Sequence, residues 1–292
     1  MNLNLSADAS QCTFWKRLTV FSFVVMAMIS FGAAFLLLAA DASQRNLPRY
    51  ALWELIHNVC VPGQSLHRDP KPCLEVDLTG GMENGFAILR DPRGGTQFLL
   101  IPTAPISGIE SPAVRTPNGT NYFALAWEVR TRLDDALHIS IPRDDVGLAI
   151  NSLESRSQDQ LHIHFSCIRT DVWDTLHEHE REIGSQWAPF NFLLVGHRYT
   201  AMWVSGEHLK PHNPFRLLAE GLPGAAGDMS NHTLVVIGLT RTNGTKGFII
   251  LADQVNKDHG DLANGEELLD NTCHIALVGR KGNVGLMKPR TE

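Results

Sequence analysis

The sequence has no excess of basic over acidic residues and no run of lysines or arginines. It also has no Pro-, Gly- or Ser-rich linker that would divide the part after the hydrophobic run into domains. Its 292 residues contain 25 Lys and Arg against 31 Asp and Glu, a formal net charge of −6. Nucleic-acid surfaces are normally basic, and polybasic runs are typical of segments that bind anionic lipid headgroups. Hydrophobic residues at 43% and charged residues at 19% exclude broad disorder. We therefore expect a globular protein with no nucleic-acid partner.

The five cysteines include no pair at the C-x-x-C spacing that is typical of zinc sites. Cys12 precedes a long hydrophobic run, and the other four follow it. Cys60 and Cys73 bracket a short loop rich in Pro and Gly, which predicts a Cys60–Cys73 disulfide and leaves Cys167 to pair with Cys273. Metal binding is the competing interpretation. Disulfides would place the globular part in an oxidising compartment, which in a bacterium is the periplasmic face.

The hydrophobic run over 18–40 contains no charged residue and follows Lys16 and Arg17. Its length is that of a helix that crosses a bilayer, and it exceeds the usual apolar core of a cleaved signal peptide. Ala40-Asp41-Ala42 nevertheless fits a cleavage site. We interpret 18–40 as an uncleaved signal-anchor rather than a buried core helix. Arginines also follow the run, so the count of positive charges does not decide its orientation.

The resulting domain plan has three parts. Residues 1–17 form a cytoplasmic amino terminus, 18–40 a single transmembrane helix and 45–292 one domain on the periplasmic side. The predicted location is therefore a bacterial inner membrane, with the bilayer itself as a partner. Oligomeric state is not indicated by any feature of the sequence.

Two stretches have the pattern of β-hairpins. Apolar runs over 85–89 and 96–101 flank an Asp-Pro-Arg-Gly-Gly turn, and a second stretch over 232–253 turns at Asn243 and Gly244. Their similar length and pattern suggest a duplicated hairpin–helix unit.

Between and after these hairpins, apolar residues at helical spacing predict helices over 121–137, 170–183 and 213–221. Strands are predicted over 146–151 and 160–168. Because strands and helices do not alternate strictly, the order favours an α+β fold with an antiparallel sheet and packed helices.

The segment "QLHIHFSCI" places Gln160, His162 and His164 on one face of a strand and the intervening apolar residues on the other. One interpretation is that both histidines face solvent from an edge strand. A second is a metal site, for which His177 and His179 are the nearby candidate ligands. Those two residues, however, point apart on a helix.

A third interpretation is nucleophilic catalysis. An imidazole with an ordinary pKa near 6.5 is largely neutral at pH 7 and can attack phosphorus. Water can then discharge the labile phosphoramidate. A second imidazole two residues away can bind a phosphoryl oxygen or transfer a proton.

The histidine segment and the sequence before it, "LAINSLESRSQDQLHIHFS", resemble the histidine-triad superfamily of nucleotide hydrolases and transferases. The resemblance implies a histidine-triad-like sheet, His162 as nucleophile and His164 as a contact to the phosphoryl group. Gln160 stands where the family has its first histidine. A glutamine can donate a hydrogen bond to phosphate but cannot carry a proton.

The same resemblance assigns further substrate contacts. Asn151 and Ser157 match the phosphate-binding loop of the superfamily, and Arg169 is a candidate cation near the pyrophosphate.

Over its length the chain is similar to the bacterial CDP-diacylglycerol pyrophosphatases, inner-membrane enzymes that cleave CDP-diacylglycerol to phosphatidate and CMP. The similar segments include "CVPGQSLHRDPKPC", "FLLIPTAPISGIESP", "HIHFSCIRTDV" and "NTCHIAL". This implies a membrane lipid substrate and a covalent nucleotidyl-histidine, with no cofactor and no metal. The alternatives are a non-catalytic nucleotide- or lipid-binding periplasmic module, suggested by Gln160, and a metal-dependent phosphohydrolase.

Overall fold

A computed structural model describes residues 47–92 and 94–278. The predicted amino terminus and signal-anchor, 1–17 and 18–40, lie outside the described residues. None of the described helices has the length and hydrophobicity that crossing a membrane demands. The described residues from Arg49 onward form one compact unit.

The described chain contains short helices and mostly longer strands. The helices are α1 (Ala51–Leu55), α2 (Tyr122–Glu128), α3 (Arg132–Leu137), α4 (Thr170–Glu178), α5 (Pro214–Gly221) and α6 (His274–Val278). The strands are β1 (Glu75–Asp77), β2 (Phe86–Arg90), β3 (Phe98–Pro102), β4 (Val146–Ile150), β5 (Ile163–Ile168), β6 (Ala188–Leu194), β7 (His197–Ser205), β8 (His232–Thr240), β9 (Lys246–Gln254) and β10 (Leu269–Asp270). Two π-helical turns, Ile56–Cys60 and Gly63–His67, follow α1.

The strands form one sheet in the order β1-β2-β3-β5-β4-β8-β9-β7-β6, with β10 paired to β5. All of the described strand pairs are antiparallel. The predicted α+β class with an antiparallel sheet is therefore confirmed.

The strand order has an internal symmetry. From β2 inward it runs β2, β3, β5, β4, and from the other edge inward it runs β6, β7, β9, β8. Each half has an outer hairpin, then a helical segment, then a central strand and finally a strand inserted between the hairpin and the central strand. β4 and β8 pair at the middle. The hairpin predicted over 85–101 is an outer one, whereas the hairpin over 232–253 holds inner strands and corresponds to β4 and β5.

One face of the sheet packs against the helices. Phe98 and Phe165 stack there with ring centroids 5.4 Å apart, and Trp127 of α2 packs edge-on against Phe248 at 4.8 Å. Gly238 makes this packing possible, since a Cβ at that position would lie 2.4 Å from the Trp127 ring. Full burial of each aromatic side chain contributes about 2–3 kcal/mol to this core.

The opposite face is covered by two separate segments. The α1 region packs on the β2–β3 side, where Ile56 and Val61 meet Leu99 and Ile101. The segment before β10 crosses β4 and β8, and a Cβ on Gly265 would lie 2.4 Å from Thr233 Oγ1. His164 is on this face, because it pairs with Leu99 on β3 and with Ala149 on β4.

Both predicted disulfides are present. Cys60–Cys73 closes the loop after α1, and Cys167–Cys273 joins β5 to the start of α6. The second bridge holds the carboxyl-terminal segment of the described chain on the strand that carries His164.

Candidate active site

His162 and His164 lie at the amino-terminal end of β5. The strand begins at Ile163, so His164 belongs to it and His162 immediately precedes it. The two ring centroids are 5.0 Å apart with their planes at 69°. His162 is 8% exposed and His164 3% exposed, and β5 lies inside the sheet between β3 and β4. The interpretation of both residues as solvent-facing side chains of an edge strand is therefore wrong.

The tautomer of His162 follows from its backbone contact. Its Nδ1 lies 2.7 Å from the carbonyl oxygen of Gln160. A carbonyl can only accept, so Nδ1 carries the proton and the lone pair is on Nε2. Burial, with His164 as the next contribution, lowers the pKa of His162 to about 4, although the Gln160 carbonyl acts in the opposite direction. The ring is neutral at pH 7.

Gln160 fixes the chain that carries this carbonyl. Its side-chain Nε2 donates to the backbone oxygens of Pro102 at 2.8 Å and Ala104 at 2.9 Å. The next residue, Leu161, donates its N–H to Ile106 at 2.6 Å. Both Nε2 protons are therefore used within the protein.

His164 contacts three polar side chains. Gln97 Nε2 lies 2.8 Å from its Nδ1, Glu266 Oε2 lies 3.3 Å from its Nε2, and Asp91 Oδ2 lies 4.0 Å from Nδ1. The same Gln97 nitrogen is 2.9 Å from an oxygen of Asp91 and 2.9 Å from one of Glu266. A primary amide has two protons, so it can satisfy only two of these three acceptors at a time.

Asn151 reaches the site through Glu266. Its Nδ2 donates to Glu266 Oε2 at 3.2 Å, and its Oδ1 accepts from the Glu266 backbone N–H at 3.2 Å. Because Asn151 directly follows β4, these two bonds fix the position of Glu266 relative to the sheet. Its carboxylate is thereby kept beside His164.

Ser157 and Arg169 lie further from the two rings. Ser157 is exposed and forms no hydrogen bond with either histidine in the described part of the chain. Arg169 follows β5, and its guanidinium donates to Asp171 at 2.8 and 3.0 Å. This pairing, opposed in part by burial, raises the pKa of Arg169.

A cleft of about 550 Å³ opens beside His164. Its lining includes Gln97 and Glu266, the two close partners of His164, and Arg169 from the predicted set. Neither His162 nor His164 is among the lining residues. The other lining residues are Thr170, Asp171, Leu269, Asp270, Asn271 and His274.

Arg156 is a further cation near the histidines. It is 6% exposed and forms ion pairs with Glu110 at 2.6 Å and Asp159 at 3.0 Å. Asp159 also pairs with Arg49 at 2.7 Å, and this contact, opposed in part by burial, lowers the pKa of Asp159 to about 2. Arg156 contributes to the low pKa of His162 through its charge. The loop before the histidines is thereby tied to the chain just ahead of α1.

Four site residues were not found from the sequence: Asp91, Gln97, Arg156 and Glu266. Gln97 carried a usable signal, since it is an amide beside the apolar run of a predicted strand. Glu266 carried none, because its place depends on how the carboxyl-terminal segment crosses the sheet.

The candidate metal ligands in the structure differ from those that the sequence suggested. His177 stacks on Trp173 and His179 on Phe192, and neither belongs to a described cluster with His164. Asp91, His164 and Glu266 instead each offer one ligand atom, all within 4.8 Å of one another.

Comparison with known proteins decides the family. The profile of the family described as CDP-diacylglycerol pyrophosphatase matches residues 48–277. The chain belongs to this family. A CDP-diacylglycerol pyrophosphatase from Yersinia pestis is 36% identical over 261 residues, which is 89% of this chain and 95% of the relative. The resemblance to CDP-diacylglycerol pyrophosphatases is therefore confirmed.

The region matched by the CDP-diacylglycerol pyrophosphatase profile contains every residue of the candidate site, from Asp91 to His274. It also contains both disulfides.

Proposed function

We propose that this protein hydrolyses the pyrophosphate bond of CDP-diacylglycerol to phosphatidate and CMP, with His162 as the nucleophile. Family membership supports the reaction and the substrate. The geometry of the two histidines supports the covalent route.

The first step forms a bond between Nε2 of His162 and the cytidylyl phosphorus. The phosphorus–oxygen bond to phosphatidate breaks, and phosphatidate leaves with the bonding electron pair. Water then attacks the same phosphorus, the nitrogen–phosphorus bond breaks, and its electron pair returns to Nε2. The water proton passes to solvent, and CMP is released.

The hydrogen bond from His162 Nδ1 to the Gln160 carbonyl, at 2.7 Å, carries this proposal. It leaves the lone pair on Nε2, and no described residue forms a hydrogen bond to that atom. The low pKa of the ring keeps it unprotonated at neutral pH. Because His162 as a residue is only 8% exposed, the substrate must reach its ring through that small exposed part.

His164 acts on the phosphates rather than on the nucleophile. Its Nε2, 3.3 Å from the Glu266 carboxylate, is placed to bind a phosphoryl oxygen or to transfer a proton. Asn151 holds Glu266 and Gln97 contacts His164, so the two side chains stay next to each other. The adjoining cleft, with Arg169 in its wall, accommodates part of the substrate.

The fold supports a histidine-triad-like architecture built from a duplicated unit. The two halves share the order of outer hairpin, helix, central strand and inserted strand. The nucleophile lies at the start of an inserted strand, β5, in the first half only, because β9 of the second half contains no histidine.

The predicted signal-anchor would keep this site at the bilayer, where a diacyl substrate resides, and so raise its effective concentration. Arg49, a few residues beyond the predicted anchor, pairs with Asp159 in the loop that leads to His162. The two disulfides support an oxidising, periplasmic location.

Trapping the covalent intermediate tests the mechanism. Full-length protein in detergent is mixed with CDP-diacylglycerol, quenched under denaturing alkaline conditions and digested for mass spectrometry. We expect a cytidylyl group on the peptide that contains His162. His162→Asn should lose this label and lower CMP release by about 10⁴-fold or more. His177→Asn, on α4, should retain both and serves as the matched control.

A metal-dependent hydrolysis is the second candidate, favoured by the Asp91, His164 and Glu266 donor atoms within 4.8 Å. Loss of CMP release in EDTA, recovery with a divalent cation and no labelled peptide would establish it instead. A binding module without chemistry would bind CDP-diacylglycerol and release no CMP.

A further inference from the structure

A second cluster of titratable side chains lies in the other half of the sheet. His197 begins β7, Asp253 lies near the end of β9, and Asp261 follows in the next turn. His197 Nδ1 is 2.6 Å from Asp261 Oδ2. One ligand atom from each of the three residues lies within 4.8 Å of the other two. The proposed hydrolysis uses none of them.

Asp253 has an unsatisfied oxygen. Asp253 as a whole is 9% exposed, and its Oδ1 accepts from the backbone N–H of Gln254 at 2.7 Å. Its Oδ2 accepts no hydrogen bond from any residue in the described part of the chain. The Asp261 carboxyl faces it. Two carboxylates are acceptors only, so a proton or a cation must lie between them.

We propose that His197, Asp253 and Asp261 bind one divalent transition-metal ion of the zinc class, at a structural site separate from the hydrolytic histidines. One imidazole and two carboxylates form a donor set that suits Zn²⁺ and Mn²⁺. Zinc bonds of about 2.0–2.2 Å at tetrahedral angles place ligand atoms about 3.3–3.6 Å apart. Small side-chain rotations that separate His197 Nδ1 from Asp261 Oδ2, now 2.6 Å apart, and draw the Asp253 oxygen inward would form the site. The His197 side chain is 26% exposed, which gives the ion a route in.

Residues behind His197 orient its ring for this role. Glu267 Oε1 lies 3.7 Å from His197 Nε2, and the Tyr199 hydroxyl donates to the same oxygen at 3.3 Å. A carboxylate behind the other ring nitrogen is the usual companion of a metal-bound histidine. The 2.6 Å contact of Nδ1 with an Asp261 oxygen places a proton on Nδ1 in the metal-free site. A bound ion would displace that proton and leave the Nε2 proton facing Glu267.

The ion would connect β7, β9 and the segment that leads to Glu266. Asp261 begins that segment, and Ser152 Oγ holds its next residue, Leu262, by donating to the carbonyl at 2.5 Å. A bound metal therefore stabilises the position of Glu266 against His164 without entering the chemistry.

The rival explanation is a proton shared by the two carboxyls. Burial, with the charge of Asp261 as the next cause, raises the pKa of Asp253 to about 7. Under that explanation Asp253→Asn would be tolerated, and no metal would be retained.

The experiment measures metal content and melting temperature of the full-length protein in detergent. The protein is stripped with EDTA, dialysed against ZnCl₂ or, separately, MnCl₂, passed through a desalting column and assayed by inductively coupled plasma mass spectrometry. We expect one zinc per chain and a melting temperature raised by roughly 5 °C or more over the stripped protein. Asp253→Asn and Asp261→Asn should lose both effects, whereas Asp258→Asn, an exposed neighbour, should keep them.

Wild-type protein that retains neither zinc nor manganese would overturn the proposal. So would retention undiminished in both Asp253→Asn and Asp261→Asn, since the ion would then lie elsewhere. If either variant fails to fold, His197→Gln supplies the same comparison. Neither readout depends on whether His162 is the nucleophile.

Discussion

The backbone carbonyl of Gln160 accepts a hydrogen bond from Nδ1 of His162 at 2.7 Å, while the Gln160 side chain donates to Pro102 and Ala104. One residue thus orients the nucleophile with its backbone and is itself held by its side chain. A glutamine at the first position of the histidine pattern therefore has a positioning role that needs no proton transfer.

Gln160→Ala should weaken both the fold and the catalysis. It removes two buried hydrogen bonds and leaves two carbonyl oxygens without those donors, which costs about 2–3 kcal/mol in the free energy of unfolding. We expect kcat to fall more than KM rises, because the His162 ring loses its fixed direction. Urea denaturation and CMP release measure the two effects. Gln186→Ala, at an exposed position, is the control. Equal behaviour of the two variants would show that Gln160 fixes nothing.

The low pKa of His162 predicts a dependence of stability on pH. The folded ring titrates at about 4 and an unfolded histidine near 6.5, so the unfolded chain binds more protons between these values. The stability due to the neutral ring is complete above pH 6.5 and is lost as the pH falls toward 4. The loss amounts to about 3 kcal/mol.

His162→Asn should remove that part of the pH dependence. Denaturant titration from pH 7 to pH 4 measures the difference in unfolding free energy between wild type and variant. This difference should be largest at pH 7 and decrease steadily as the pH falls to 4. A difference that stays constant over this range would mean that the folded ring titrates normally.

Much of the first half of the fold could be predicted from local pattern. The outer hairpin over 85–101 was predicted from two apolar runs around a turn and the strand at 146–151 from its short apolar run, and both appear in the structure. The hairpin of β6 and β7 was not predicted. Its turn places Val195 at φ +52° ahead of Gly196, and a valine in that conformation is not a turn signal.

Only the part of the candidate site that depends on local spacing could be predicted. His162 and His164 are two residues apart at the start of one strand, so spacing alone brings them together. Their partners are Gln97, which directly precedes β3, and Glu266, which lies about 100 residues after His164 in the chain. Such contacts are fixed by sheet order and by the path of the chain over the sheet, which periodicity does not report.

Asn151→Ala should lower kcat through Glu266. The substitution removes the hydrogen bond to the Glu266 carboxylate, which lies 3.3 Å from His164, and the hydrogen bond from the Glu266 backbone N–H. We expect kcat for CMP release to fall by about 10–100-fold with KM nearly unchanged. Glu266→Gln should act in the same direction.

Because the two residues act as one unit, the double variant should be little worse than the worse single variant. Additive losses in this double-mutant cycle would contradict the coupling. Glu182→Gln, at an exposed carboxylate in the turn after α4, should leave kcat unchanged.

Removal of the Cys167–Cys273 bridge should impair both stability and turnover, whereas removal of Cys60–Cys73 should impair mainly stability. The sequence separations of 106 and 13 residues predict entropic losses of about 4–5 and about 3 kcal/mol. The longer bridge also fixes β10, which pairs with β5 and follows directly on the segment that carries Glu266. Serine pairs at each bridge, compared by thermal melting and by CMP release at a temperature where both variants remain folded, separate the two roles. If the Cys167→Ser, Cys273→Ser protein keeps full turnover while folded, Glu266 is held by Asn151 and the sheet alone, and the bridge serves only to resist unfolding.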